Sequence, residues 1–471
     1  METEHIDVDL QSFRNHLPNV DDSNKRKWIY AKKPNGRFHK YRIWITTLFL
    51  TILIGLPFLK INGRPLLLLN IFERKFIILG SIFWPQDTSL LIFLLLIFFL
   101  FIILFTVAFG RVWCGWACPQ TLFMEMVFRK IEYLIEGDYH QQMKLNKGPK
   151  DFNYVWRKTV KHFIFILISA IIAHTVMAYL IGIDETFKII THSPSENMEG
   201  FIGLLVFSVI FYLVFTIVRE VACTVICPYG RLQGVLINKD TSIIAYDYNR
   251  GEPRRKIKKG DETTKKGDCV DCTLCVHVCP TGIDIRNGAQ MECVNCTACI
   301  DACDDVMIKT HKPKGLIRYA SLHQLQGKIS KKINIRTVAY SSVLTILIGI
   351  FLILVFTRSD IETTVLRVPG QLYKKTETGD YTNMYNIQVV NKTYDVKDLE
   401  FKLLNSMGTI KLVGSTDFML ESQSKKEGIV IVQLPKDELK GLKTKITIDV
   451  FNNGKKVDRV KASFIGPVTY N

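Results

Sequence analysis

The 471-residue chain is 48% hydrophobic yet carries 61 Lys and Arg against 44 Asp and Glu, a formal net charge of +17. Its length allows about three ordinary domains. The charge does not argue for nucleic acid: that function needs a basic face set with aromatic platforms, which this sequence lacks.

The first 41 residues are polar and have no apolar core, so no cleavable signal peptide is expected. Beyond them, windows at 42–59, 88–109, 160–182, 201–218 and 337–357 reach the ~20 mostly apolar residues that cross a hydrocarbon core. The third carries His162 and His174. The run LLLLNIFERKFIILG (66–80) is interrupted by Glu73, Arg74 and Lys75, and is expected in the interface or packed on the other helices. Five spans predict an integral membrane protein. Lys and Arg crowd the N-terminal segment, the loop 110–159 and the segment 219–336, whereas 60–87 and 183–200 are sparse. That asymmetry puts the N-terminus and 219–336 in the cytoplasm and the region after the fifth span outside. The net charge is thus mainly a topology signal, and RRKIKK (254–259) reads as a juxtamembrane patch for anionic lipid.

After Arg358 the pattern changes to short alternating segments: 363–368, 384–391, 398–404, 428–434, 445–453 and 458–466, separated by turn residues such as NNGKK. Period-two alternation at this spacing predicts an antiparallel sandwich of immunoglobulin type. The expected fold is therefore a multi-domain membrane protein, with a bundle of about five transmembrane helices, a ferredoxin-like insert and a C-terminal all-β sandwich. Its parts are a cytoplasmic segment (1–41), a membrane domain (42–228), a basic linker (229–265), a cysteine-rich domain (266–312), a basic connector (313–336), the last helix (337–357) and an extracytoplasmic domain (359–471).

All twelve cysteines fall between 114 and 303, on the expected cytoplasmic side, where structural disulfides are disfavoured and metal binding is the natural use. Eight form two cassettes, CVDCTLCVHVCP (Cys269, Cys272, Cys275, Cys279) and CVNCTACIDACD (Cys293, Cys296, Cys299, Cys303). Each has the C-x2-C-x2-C-x3-C spacing of a bacterial [4Fe–4S] ferredoxin, in which the fourth cysteine ligates the other cluster. One cluster is then expected on Cys269, Cys272, Cys275 and Cys303, and a second on Cys293, Cys296, Cys299 and Cys279. His277, between ligands, is expected to tune hydrogen bonding at the first.

The other four cysteines lie in RVWCGWACP and EVACTVICP, each directly after an apolar run. The match suggests a duplicated unit, 42–119 and 160–228. Residues i and i+4 share a helical face, so Cys114 with Cys118, and Cys223 with Cys227, can each present a thiol pair. Pro119 and Pro228 mark a break. If the repeats pack symmetrically, the pairs meet beside the ferredoxin insert and form a thiolate site for copper or a further iron–sulfur centre, with packing as the alternative. His174, inside the third span, and Met177 on the same face are a weaker candidate metal pair.

With these motifs in place, the chain resembles the FixG/CcoG family of cytochrome c oxidase accessory proteins. The residues that carry the likeness are CGWACP, CTVICPYGRLQ, GDCVDCTLCVHVCPTGIDIRNG, ECVNCTACIDACD and GLIRYAS, in this order. The resemblance implies a bacterial inner-membrane protein that assists assembly of a haem–copper oxidase, with reduction of Cu(II) to Cu(I) as the expected chemistry. Partners would then be oxidase assembly factors or copper chaperones, with the electron donor unspecified and no nucleic acid. The rival reading is a quinol dehydrogenase subunit that passes electrons from membrane quinol through the clusters.

Overall fold

A computed structural model describes residues 25–467 except 62, 74, 79–80, 85–86, 257–266, 329–334, 371, 394, 405–406, 415–417, 423 and 440. Half of the basic run 254–259, residues 257–259, lies outside the described residues. Among those described, five helices are long and apolar enough to cross a membrane: Arg37–Phe58, Ser89–Phe109, Phe152–Ile181, Met198–Val218 and Ile335–Phe356. The third begins well before the apolar window at 160. The Asp151 carboxylate accepts the Tyr154 amide at 2.9 Å and caps the helix there, so the polar turns FNYVWRK join it. Gly182, at φ 93, ends it.

The interrupted run 66–80 is not helical. Leu67–Asn70 and Lys75–Ile78 pair antiparallel, with Leu68 opposite Ile77 and both buried. Glu73 belongs to the turn, its amide donating to the Asn70 side chain at 2.9 Å. Of the charges that look like a helix interruption, Glu73 is in the turn and Lys75 opens the second strand. The expectation of packing on the helices holds, since the first strand lies against the third span.

The duplicated unit is visible in the backbone. The second span ends at Gly110 (φ 61, ψ −138) and the fourth at Arg219 (φ 53, ψ −126), the same unusual conformation at matched positions. Each is followed by one short helical stretch, Val112–Trp116 or the π-helical Ala222–Ile226. The first stretch ends at Trp116 and the second at Ile226; Cys118 (φ −64, ψ 123) and Cys227 (φ −67, ψ 112) are extended, and Pro119 and Pro228 open new helices. Proline is well suited to a first helical turn, where its missing N–H costs nothing. The expectation that each cysteine pair shares one continuous helical face is therefore corrected: the helix breaks between the two thiols.

The cysteine-rich insert is clasped at its base. Ile243–Tyr246, before it, pairs antiparallel with Ile317–Ala320, after it, with Tyr246 opposite Ile317. Ile244, Tyr246, Leu316 and Ile317 then pack into one core with both cassettes. These residues belong to one compact unit, and the C-terminal part forms another. In the latter, Ile361–Arg367, Tyr381–Asn391, Lys425–Leu434 and Thr409–Leu412 make one antiparallel sheet, with Lys374–Lys375 beside Tyr381. Lys397–Leu403, Phe418–Leu420, Lys443–Asn452 and Lys455–Ile465 make the other. Val389, Leu420, Val432, Ile448 and Phe464, fully buried, fill the space between them. All six expected strands are present. The added strands at 374–375, 409–412 and 418–420 are too short for alternation to reveal.

Candidate metal centre

The two cassettes share a local geometry. In CVDCT and CVNCT, Asp271 and Asn295 take φ 51 and 53, and Thr273 and Thr297 take φ 57 and 65. Asp and Asn tolerate this left-handed region, but a β-branched Thr seldom does. Strained backbone held at four matched positions is expected where a loop must wrap a guest. The helices Leu274–His277 and Ala298–Lys309 start directly after these turns.

Each loop faces a cavity. The first is lined by Cys269, Cys272, Cys275 and Cys303. The second is lined by Cys279, Cys293, Cys296 and Cys299, and Cys275 reaches this one as well. Three thiols of one cassette thus meet the last thiol of the other, twice over. Among the described residues no three His, Cys, Asp or Glu side chains are gathered tightly enough for a single ion. The thiols ring a volume, as a four-iron cubane with one thiolate per iron requires. Burial pushes the Cys275, Cys293 and Cys303 thiols up to about 12. Such groups become thiolates when a metal takes the place of their protons. Arg286 lines the first cavity and is paired with Asp284 at 2.7 Å, a fixed positive charge beside the cluster position. The His277 side chain is exposed, and its ring lies 5.4 Å from the Tyr139 ring.

The CxxxCP motifs pack on the second cassette. A Cβ on Gly115 would lie 2.5 Å from the Val294 carbonyl oxygen and 2.8 Å from Asn295, so only glycine fits. Cys114 donates to Gln233 Oε1 at 3.2 Å, and Arg111 donates to the same oxygen at 3.1 Å and to the Cys223 carbonyl at 3.5 Å. Thr121, just past the first motif, lies 3.9 Å from Cys223 Sγ in the second. The motifs therefore face each other, close enough that Cys114 feels Cys118 and Cys227, and Cys223 feels Cys118 and Cys114. Burial raises Cys114 to about 11 and Cys223 to about 12. A further small cavity joins this group to the second cassette, lined by Cys223, Glu220, Thr281 and Val294. Thr281 Oγ1 is in turn 3.4 Å from Cys279 Sγ. First cavity, Cys275, second cavity, Thr281 and Cys223 form one continuous sequence of neighbours.

His174 and Met177 are not assembled into a ligand pair. His174 Nδ1 lies 2.6 Å from the Ala170 carbonyl of its own helix, and Met177 is buried against Gly203 of the fourth span. Sequence reasoning missed a buried ion network under the motifs. Arg219 donates to both oxygens of Glu132 at 2.6 and 3.0 Å, Arg129 pairs with Glu125 at 2.7 Å, and Lys161 with Glu136 at 2.8 Å. Burial alone would raise the Glu132 carboxyl, but Arg219 outweighs it and holds it below the usual range.

A five-helix framework with a clasped double ferredoxin cassette defines a membrane-bound iron–sulfur electron-transfer protein. The family described as a 4Fe-4S dicluster domain matches residues 218–322, a 4Fe-4S binding domain matches 91–136, and the IG-like fold at the C-terminal of FixG matches 351–467. Protein RdxB of Cereibacter sphaeroides is 31% identical over 394 residues, 80% of this chain and 82% of its own. Protein RdxA of the same organism is 30% identical over 390 residues, covering 80% and 81%. Nitrogen fixation protein FixG of Rhizobium meliloti is 34% identical over 306 residues, covering 63% of this chain and 58% of its own. The chain belongs to the FixG family.

Proposed function

We propose that this protein reduces Cu(II) to Cu(I) at the cytoplasmic face of a bacterial inner membrane, in support of haem–copper oxidase assembly. Cys269, Cys272, Cys275 and Cys303 hold one [4Fe–4S] cluster, and Cys279, Cys293, Cys296 and Cys299 hold the other. When bound, the clusters supply a one-electron relay. Cys114, Cys118, Cys223 and Cys227 receive copper as substrate, and the observation that carries this reading is that these thiols meet beside the second cavity. Thiolates select Cu(I) over Cu(II), so the site favours the product of a single-electron step. Gln233 and Arg111 orient Cys114, and the Thr281 hydroxyl bridges from Cys279 towards Cys223.

A second reading has an observation of its own: the 4Fe-4S binding domain matched at 91–136 includes Cys114 and Cys118, which favours a further iron–sulfur centre on the four thiols. One experiment separates the readings. Cys118→Ser and Cys227→Ser are purified anaerobically, iron, sulfide and copper are counted, and Cu(II) and quinone are offered separately as electron acceptors. Copper reduction predicts unchanged iron, lost Cu(II) reduction and weakened Cu(I) binding. Lost iron indicates the further centre, and transfer to quinone alone indicates the quinol-linked relay.

A further inference from the structure

The relay needs an electron donor, and the surface beside the first cavity shows what kind fits. Of the twelve cysteines only Cys272 is exposed, so the first cavity is the one that meets solvent through its own ligand set. Next to it runs a groove whose lining includes Leu274 and Ala302. Their chain neighbours Cys275 and Cys303 line the first cavity, so the groove and the cluster position lie on opposite sides of one thin wall.

The groove's charges are unevenly committed. Its three acids are held by contacts within the chain and keep their charge: Asp301 accepts the Phe38 and His39 amides at 3.1 and 2.8 Å, Asp304 accepts the Gly315 amide at 2.9 Å, and Asp305 pairs with Lys309 at 2.7 Å. Its four cations outnumber them and are not paired. Among the described residues the Lys32, Lys33 and Lys314 amino groups have no anionic partner, and Arg37 lies only against the Phe38 ring at 5.2 Å. Lys33, Arg37 and Lys314 are exposed. Ile308, half exposed, adds an apolar contact at the edge. Lys32 and Lys33 precede the first span, Arg37 opens it, and Lys314 lies beyond the second cassette, so the charge is gathered by the fold.

We propose that this groove docks a soluble, acidic one-electron carrier protein, which delivers electrons to the first cluster. The inference rests on the iron–sulfur reading of that cavity but not on copper as the acceptor. An [4Fe–4S] centre takes electrons singly, so a reduced carrier gives up one electron and the cluster gains it, with no proton or bond to account for. Redox encounters use small interfaces, and their rates are set largely by opposite charge. A set of unpaired cations beside the wall of the cluster position is what such an encounter uses.

The test is the rate at which the reconstituted full chain, in detergent, is reduced by an acidic flavodoxin in its hydroquinone form, followed by bleaching of the cluster absorbance. Between ~0.05 and ~0.5 M salt the wild-type rate should fall about tenfold, as screening shortens the reach of the charges. Lys32→Glu/Lys33→Glu/Lys314→Glu should lose about tenfold at low salt. Reduction of the same variant by the methyl viologen radical, a cation, should be undiminished. Lys32→Gln/Lys33→Gln/Lys314→Gln removes the charge at similar size and should fall between the two. A wild-type rate indifferent to salt, or Gln and Glu variants reduced by flavodoxin at the wild-type rate, overturns the proposal. So does a groove that binds anionic vesicles in a lysine-dependent way while flavodoxin reduction is unchanged. Failure of viologen to bleach any cluster in the wild type would instead sink the iron–sulfur reading itself.

Discussion

Gly115 and Arg219 show how single residues hold the metal-binding region to the membrane helices. At Gly115 the first CxxxCP motif touches the backbone of the second cassette, with no room for a Cβ. Gly115→Ala should cost about 1–3 kcal/mol, as overpacking does, and should release iron from the second cavity first; circular dichroism melts and iron counts check this. Arg219 accepts a conformation that suits glycine, and its bidentate bond to Glu132 holds it there. Leaving one partner of such a buried pair alone costs about 3–5 kcal/mol, whereas replacing both with apolar residues is often near neutral. Glu132→Gln should therefore lower the thermal midpoint strongly, and Glu132→Leu/Arg219→Leu should recover most of it. The Glu132 carboxyl is held below its ordinary 4.5, so its contribution is complete above that value and is lost as pH falls through the folded one. The midpoint difference between wild type and Glu132→Gln should shrink in acid. None of this network was legible in the sequence: Glu132 and Arg219 are 87 positions apart, and charged residues after an apolar span read as topology signals, not as partners.

At the scale of elements, what is local was readable and what depends on a distant partner was not. Cassette spacing is a local property, and it led to the two thiol sets that line the two cavities. The 66–80 hairpin was not readable, because two four-residue strands around a charged turn resemble a broken helix. The CxxxCP break was half legible: proline announced it, but not that the second cysteine of each motif would be extended. The β-domain gives a test of element boundaries. Its first strand starts at Ile361, which is 1% exposed and pairs opposite Asn391. A fragment 359–471 should fold on its own, while 365–471, lacking Ile361 and Thr363, should lose about 2–5 kcal/mol of stability from the missing core residue. Equal urea midpoints for the two fragments would place that strand outside the cooperative core.

For the whole molecule, the proposed topology puts the cassettes and the β-domain on opposite sides of the membrane. Reporter fusions after Lys314 and after Asn471 should report different compartments. The same compartment for both would remove one span from the membrane. The β-domain contains no Cys and no His, leaving Met384, Met407 and Met419 as its soft ligands. On the proposed reading it docks a partner and carries no metal, and the 359–471 fragment should bind no Cu(I) in competition with a strong chelator.

The exchange of the last thiol between cassettes has a consequence for how the protein ages. On the proposed ligand division, neither cluster can be completed from its own stretch of chain, and Cys275 borders both. An oxidant that dismantles one cubane frees a thiol beside the other and loosens the wall they share. Iron should then leave in a single kinetic phase under air, and a preparation with half its iron should prove to be a mixture of intact and stripped molecules, with few that hold one cluster alone.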